Sequence, residues 1–314
     1  MERISKSDLE QAAMKLLQVN LRLRKGEKVV LVTDRKKDPI FEAFKKVIPK
    51  MGGKLTIARV RANRAHGSPI PEVAEILLKA DVIVAPTTKS ITHCLETKAA
   101  AKKGARVATL PGITPELVVK AAKADLKEIM RISNKLYKSL KNSKVVNVIT
   151  PSGTNFRMRR KYYKFSMDAG VIRKHMIANL PNGEIFCYFK GGNGKVVIDS
   201  YGKLLEVGSG ATLEIRNGKI IKWNKAADPF IKMLKDAAGE CGLQTVELGI
   251  GTNPEHKEIM GNVLHDEKIY GSAHIAFGGG GKIRVCPVHA DVILMRPTIW
   301  VDGRKVMEKG KLIK

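Results

Sequence analysis

The sequence of 314 residues has few cysteines, few aromatic side chains and no long apolar segment. No run approaches the roughly 18 apolar residues that span a bilayer, and the N-terminus lacks the apolar core of a secretion signal. We therefore expect a cytoplasmic protein that does not enter membranes. Four cysteines are far apart in the chain and form no CxxC pair. This spacing disfavours a disulfide framework or a structural zinc site and favours buried, reduced thiols.

Acidic residues are also scarce. The chain has 57 lysines and arginines against 30 aspartates and glutamates, a formal net charge of +27. Such a surplus attracts anionic substrates or polyanions at low salt. The segment from Arg157 to Lys164, with the sequence RMRRKYYK, concentrates this charge next to two tyrosines. One hypothesis is therefore a protein that binds RNA or a ribonucleoprotein, and the alternative is a solvated, solubilising strand.

The first half of the sequence alternates between strand and helix patterns. Short apolar runs near residues 29–32, 55–60, 81–85 and 107–110 predict buried strands. Ser7 with Glu10 has the spacing of a helix-capping box, and Thr114-Pro115-Glu116 has the composition of a helix start. The pattern predicts a Rossmann-like α/β domain with a parallel sheet over residues 1–144. No GxGxxG or GxxxxGK[ST] motif follows these strands, so no motif supports a nucleotide site.

Strand and turn signals dominate after residue 144. Asn217-Gly218 and Asp302-Gly303 each separate two strand-like runs, which predicts two tight hairpins. Helices are expected near residues 229–238 and 254–264. We therefore expect an α+β domain over residues 145–314.

The strongest local signal for chemistry lies in this second domain. His289 and Asp291 are two residues apart in a strand-like run, so their side chains would project from the same face. His274 lies in another strand-like run and provides a third donor. Two histidines and one carboxylate suit a divalent ion such as Zn, Mn, Co or Fe(II). A hydrogen-bonded His–Asp pair without a metal is an equally common use of the HxD spacing.

Three glutamates in the same region are further candidates for the site. Glu247 lies within a run suited to a core strand, and a buried, unpaired carboxylate costs several kcal/mol. Glu184 precedes a second apolar run. Glu267 is a candidate general base in a polar turn. Each of the three could instead be a solvent-facing residue.

The order of the motifs resembles the thermophilic metallo-aminopeptidase family, also called aminopeptidase T. The similarity covers about residues 150–305. The matching segments are Pro151–Thr154, Asn179–Phe186, Glu247–Pro254, Gly261–Lys268, His274 and His289–Asp291.

The resemblance implies a homodimeric hydrolase that removes N-terminal residues from peptide substrates. It also implies two divalent ions, Zn, Co or Mn, and a catalytic glutamate at Glu267 as general base. The metal ligands it implies are Glu184, Glu247, His274, His289 and Asp291.

Two departures weaken the implied peptide hydrolysis. Gly281 stands where bacterial members have a tyrosine, and Glu267 lies two residues farther upstream of His274 than is usual. The same fold includes Fe(II)-dependent 2,5-dihydroxypyridine dioxygenases, which bind one ion through two histidines and one aspartate. That alternative would use His274, His289 and Asp291. The presence of both Glu184 and Glu247 favours the two-metal hydrolase.

Overall fold

The computed structural model describes residues 4–35, 38–64, 68–159, 164–281 and 283–313. The chain divides into two compact units. The first comprises Met1–Leu126 and Gly170–Asn182, and the second comprises Lys127–Ala169 and Gly183–Lys314. Each unit is therefore built from two separate segments of the chain. The predicted domain boundary at residues 144 and 145 stays a prediction.

The elements of the described residues are numbered in chain order. The α-helices are α1 (Lys6–Lys15), α2 (Pro39–Lys50), α3 (Ala74–Leu77), α4 (Leu95–Lys102), α5 (Pro115–Lys123), α6 (Leu126–Leu140), α7 (Asp228–Ala238) and α8 (Val263–Asp266). The strands up to residue 200 are β1 (Lys28–Thr33), β2 (Lys54–Arg59), β3 (Val82–Ala85), β4 (Arg106–Thr109), β5 (Val145–Ile149), β6 (Asn155–Arg159), β7 (Ser166–Asp168), β8 (Ile177–Asn179), β9 (Glu184–Tyr188) and β10 (Asn193–Val197). The later strands are β11 (Thr212–Arg216), β12 (Lys219–Trp223), β13 (Thr245–Gly251), β14 (Ala273–Gly280), β15 (Arg284–Leu294), β16 (Thr298–Val301), β17 (Arg304–Glu308) and β18 (Lys311–Leu312). Within the described ranges, no helix has both the length and the apolar character needed to cross a bilayer.

The first unit is built on a parallel sheet in the order β2-β1-β3-β4-β8. The predicted parallel sheet is confirmed, because each of the four strands expected from apolar runs is present in it. Strand β8 was not predicted, since it is only three residues long. The capping box at the start of α1 uses Ser5 and Asp8 instead of the predicted Ser7 and Glu10. Thr114 caps α5 as predicted.

The second unit contains two antiparallel sheets. One has the order β12-β11-β10-β6-β5-β16-β17-β18, and the other has the order β15-β14-β13-β9-β7. A single apolar core includes side chains of both sheets, among them Val148 and Phe156 from the larger and Leu248 and Ile275 from the smaller. The fold is thus a mixture of α and β structure with parallel and antiparallel sheets, as expected.

In the second unit, the sequence predicts the turns better than it predicts the helices. Both predicted hairpins are confirmed: Asn217-Gly218 joins β11 to β12, and Asp302-Gly303 joins β16 to β17. The predicted helix over residues 254–264 is wrong. Gly261 has a φ of 70°, outside the helical region, and the side chain of Asn262 then caps the four-residue helix α8.

The expectation that all cysteines are reduced is wrong for one pair. Cys241 and Cys286 form a disulfide, whereas Cys94 and Cys187 are free and buried. The two bonded residues are 45 positions apart. Their proximity results from the packing of β15 beside the turn at residues 239–243, which no local spacing in the sequence reveals.

The basic segment lies at the end of β6. Arg157 and Arg159 are exposed and alternate with the buried Phe156 and Met158. Residues 160–163 lie outside the described residues, so the role of the tyrosines is not addressed by the structure. The alternation gives β6 a cationic outer face, and RNA binding by this face stays a prediction.

We expect an Arg157→Gln, Arg159→Gln variant to bind mixed RNA with a weaker salt dependence than the wild type. Each phosphate contact that is lost should reduce the slope of log K against log salt by about one. Binding can be measured by fluorescence anisotropy between low and physiological salt. Wild-type protein that binds no RNA at low salt would exclude this interaction.

Candidate metal centre

The predicted metal ligands on β13, β14 and β15 lie on one face of the five-stranded sheet. Ala276 in β14 is opposite Glu247 in β13 on one side and Asp291 in β15 on the other. His274 is two residues before Ala276, and His289 is two residues before Asp291. Because side chains two apart in a strand share a face, all four functional groups project in the same direction.

Strand β9 adds a carboxylate and two aromatic side chains to this face. Glu184 is opposite Gly251, and Tyr188 is opposite Glu247. Phe186 lies between them at the same periodicity. The sequence prediction that Glu184 belongs to the site therefore agrees with the register of β9 and β13.

The opposite face of the same strands is apolar. Ile185, Leu248, Ile275 and Val292 are buried in the core of the second unit. A shift of one residue in any strand would exchange this apolar row for charged side chains, which fixes the register. Core packing on one face thus positions the functional groups on the other.

The side-chain tips are close to one another. The Nε2 atom of His274 lies 3.4 Å from Oε2 of Glu184 and 3.8 Å from Oε1 of Glu247. The Nε2 atom of His289 lies 3.6 Å from Oε2 of Glu247 and 3.2 Å from Oδ1 of Asp291. Two ligands about 2 Å from a shared ion are separated by roughly 3–4 Å, so these spacings suit metal coordination.

The structure brings together all six residues that the sequence analysis selected. In each of three overlapping groups, the donor atoms all lie within 4.8 Å of one another. The groups are Glu184, Glu247 and His274; Glu247, His289 and Asp291; and Glu267, His274 and Asp291. Coordination of a metal by these residues stays a prediction.

Several buried donor atoms in this cluster lack a hydrogen-bond partner. They are Oε2 of Glu184, both ring nitrogens of His274 and Oδ1 of Asp291. Buried polar atoms are paired in more than about nine cases in ten. Of these atoms, Oε2 of Glu184, Nε2 of His274 and Oδ1 of Asp291 face the space between the side chains, so the donor set fits a cation. His289 differs, since its Nδ1 lies 2.5 Å from the carbonyl oxygen of Gly279 and its Nε2 is thereby directed into the cluster.

The electrostatic field of the cluster favours positive charge. Burial by itself would lower the pKa of His274 and of His289, but the carboxylates around them raise these values to about 9 and about 10. Burial would raise the pKa of Asp291, yet His289 and His274 hold it well below its ordinary value. A field that stabilises two imidazolium ions also stabilises a divalent ion, which would displace their protons.

Glu267 is a weakly acidic carboxyl group in the same cluster. Burial is the largest cause and, with the negative charges of Glu184 and Asp291, raises the pKa of Glu267 to about 8 despite the neighbouring Lys268. Burial also raises the pKa of Glu247. A carboxyl group with a pKa near 8 exchanges protons readily at neutral pH, as a general base requires.

Lys268 is a member of the site that the sequence analysis missed. Its side chain is fully buried, and Nζ lies 2.7 Å from Oε1 of Glu184 and 2.5 Å from Oε1 of Glu267. The surrounding sequence, His265-Asp266-Glu267-Lys268, has the composition of a surface turn. No periodicity in the sequence indicated that this lysine points inward.

Tyr188 is the second missed residue. Its ring packs edge-to-face on Phe186 at 5.5 Å between centroids. Side chains at Gly280 or Gly281 would overlap the Tyr188 ring, so the glycine run leaves room for it. The spacing of Glu184, Phe186 and Tyr188 by two residues was a signal that could have found both aromatics.

The chain resembles known proteins over almost its entire length. A sequence model of the family described as NicX, 2,5-dihydroxypyridine 5,6-dioxygenase, matches residues 9–314. None of the curated proteins matches the sequence. The structure of 2,5-dihydroxypyridine dioxygenase from Pseudomonas putida KT2440 is similar with a TM-score of 0.86 and 17% identity, over 99% of this chain and 98% of that chain. Wild-type AmpT from Thermus thermophilus is similar with a TM-score of 0.69 and 15% identity, over 98% of this chain and 100% of that chain.

These findings correct the function implied by the sequence resemblance. The interpretation as an aminopeptidase, and therefore as a hydrolase or protease, is wrong, because the family model that covers the chain is that of a dioxygenase. The likeness to AmpT holds only at the level of a distantly related fold. The family match indicates an enzyme, as predicted, and points to an oxygenase instead of a hydrolase. The chain belongs to the NicX, or 2,5-dihydroxypyridine 5,6-dioxygenase, family.

Proposed function

We propose that this protein is an Fe(II)-dependent dioxygenase that opens a dihydroxylated ring of the 2,5-dihydroxypyridine type. The observation that carries the proposal is the position of Asp291, which shares one donor group with His289 and another with His274 on a single sheet face, in a chain of the NicX family. Two histidines and one carboxylate with open positions are the donor set of non-haem Fe(II) oxygenases. All three residues belong to the C-terminal metal-binding domain predicted from the sequence.

The three proposed ligands would hold one Fe(II) ion on the sheet face. When bound, that ion would supply coordination of the ring oxygens and activation of molecular oxygen. Glu247 lies between the two imidazoles, within 3.8 Å of each Nε2 atom. The carbonyl oxygen of Gly279 accepts a hydrogen bond from Nδ1 of His289 and so fixes the orientation of the ring.

The remaining residues serve binding and proton transfer. Glu267 shares a donor group with His274 and Asp291 and, in its ionised form, would accept the proton that a ring hydroxyl loses on binding. Phe186 and Tyr188 are only partly buried and provide an aromatic wall on the same face. A flat aromatic substrate gains stacking and edge-to-face contacts from such a wall. Burial and the nearby carboxylates raise the pKa of Tyr188 above its ordinary value, so its hydroxyl stays a hydrogen-bond donor.

Protein loaded anaerobically with Fe(II) is expected to consume oxygen when 2,5-dihydroxypyridine is added. The ring absorbance should disappear, and labelled oxygen gas should place both of its atoms in the opened product. Protein loaded with Zn(II) is the control, since zinc has no redox chemistry and should leave the ring intact. If Fe(II)-loaded protein consumed no oxygen with a panel of dihydroxylated pyridines and benzenes, the proposed function would be wrong.

A further inference from the structure

We propose that the ammonium group of Lys268 occupies the position of a second metal ion, so that the centre binds one divalent ion and one internal cation. Lys268 is then a positioning residue that holds Glu184 and Glu267 beside the metal. This inference rests on the proposed function for the presence of the first ion. It concerns the role of a residue that neither the sequence motifs nor the fold assigns.

The first argument is the geometry of the ammonium group. Its nitrogen lies within 2.7 Å of one oxygen from each of two carboxylates, Glu184 and Glu267. The lysine is fully buried, so no water shares these contacts from the surface. A buried lysine is retained only where charged or polar partners replace its hydration. Here the two carboxylates do so.

The second argument is how the two oxygens of Glu184 are divided. Oε1 contacts Lys268, whereas Oε2 has no hydrogen bond and lies 3.4 Å from Nε2 of His274. Glu184 therefore links the ammonium group on one side with the proposed ligands on the other. In a centre with two metal ions, a carboxylate in this position would link the two ions.

The third argument is repulsion between like charges. A second ion bound about 2 Å from the same oxygens of Glu184 and Glu267 would lie within about 5 Å of Nζ. At that distance, in a buried site with little screening, a dication and an ammonium group repel each other strongly. The ion and the lysine therefore exclude each other.

The carboxylates around Lys268 would form an ion site if the lysine were removed. Glu184 and Glu267 contact it directly, and the charge of Asp168 also acts on it. Asp168 in β7 is opposite Glu184 in β9. Two or three carboxylates at this separation suit a hard divalent ion such as Mn(II).

The test compares the metal content of wild-type protein with that of Lys268→Ala. After equilibration with Mn(II) and removal of free metal, the wild type is expected to hold one ion per chain and Lys268→Ala two. Electron paramagnetic resonance should detect spin coupling between the two ions in the variant only. Lys268→Arg keeps the positive charge and should remain at one ion, and the exposed Lys190→Ala is the matched control.

The possible outcomes separate this inference from the proposed function. One ion in folded Lys268→Ala, or two ions in the wild type, would overturn the role of Lys268. If Lys268→Ala does not fold, Lys268→Met, which keeps the length of the side chain, is measured in its place, with the same two results decisive. A wild type with one ion and a variant with two would support the inference even if no ring were cleaved, because only the proposed function requires ring cleavage.

Discussion

An Asp291→Asn variant is expected to lose its affinity for Fe(II) by about 100-fold or more, because even the loss of a supporting contact costs about 10- to 100-fold. Asp291 belongs to two of the three donor groups and so links His274 with His289. Burial would raise the pKa of Asp291, but His289 and His274 hold it below its ordinary value. Asp291 is therefore ionised at every physiological pH. Asparagine keeps the shape of the side chain and removes the charge. Ring cleavage should fall below detection.

The affinity can be measured by anaerobic titration with Fe(II), together with oxygen uptake and thermal unfolding. Asp199→Asn is the matched control, since Asp199 is a partly buried aspartate of the same unit that accepts hydrogen bonds from Met295 and Ser152. It belongs to none of the donor groups found among the described residues. An Asp291→Asn protein that binds Fe(II) like the wild type would exclude Asp291 as a ligand.

The residues of the site could be predicted because strand periodicity is local. His289 and Asp291 are two apart, and an HxD spacing in an apolar run specifies one face without knowledge of the fold. Glu247 could be selected because its run of apolar neighbours implied burial. The distances among β9, β13, β14 and β15 depend on strand order, which the sequence did not show. The order of the motifs along the chain, which resembles that of a metalloenzyme family, grouped these residues instead.

Lys268 could not be predicted for the opposite reason. Its neighbours in sequence are polar, and its burial results from contacts with Glu184, which is 84 positions away in the numbering. The same limitation explains the disulfide between Cys241 and Cys286. Long-range contacts of this kind are fixed by sheet topology, and local patterns carry no information about them.

The choice between hydrolase and dioxygenase failed at one step. The presence of Glu184 and Glu247 was interpreted as a sign of two metal ions, because both residues match metal ligands that the resemblance to aminopeptidase T implies. The structure shows that Glu184 has a positive partner in Lys268. The number of buried carboxylates therefore did not indicate the number of metal ions. The same five residues are compatible with both chemistries, and only the family match distinguishes them.

A Gly249→Ala variant is expected to lose metal affinity by about as much as His274→Ala, roughly 100-fold. Gly249 in β13 is directly opposite His274 in β14, and the imidazole lies over its α-carbon. A methyl group at this position would overlap Nε2 and Cε1 of the ring. Gly249 does not have a positive φ, so alanine strains no backbone torsion and the effect acts on the ring alone.

A double-mutant cycle distinguishes displacement of the ring from general damage to the sheet. If the methyl group acts only by moving His274, the Gly249→Ala, His274→Ala double variant should bind metal no more weakly than His274→Ala alone, because the two effects share one cause. Ile250→Val is the control on the same strand: it removes a methyl group from the opposite, core-facing side and should cost about 1 kcal/mol of stability while metal binding is retained. Fe(II) titration and thermal unfolding of the wild type, the two single variants and the double variant complete the cycle. Additive losses in the double variant would show that Gly249 supports the centre by a route other than the position of His274, and wild-type affinity in Gly249→Ala would show that the ring can leave the sheet face without cost.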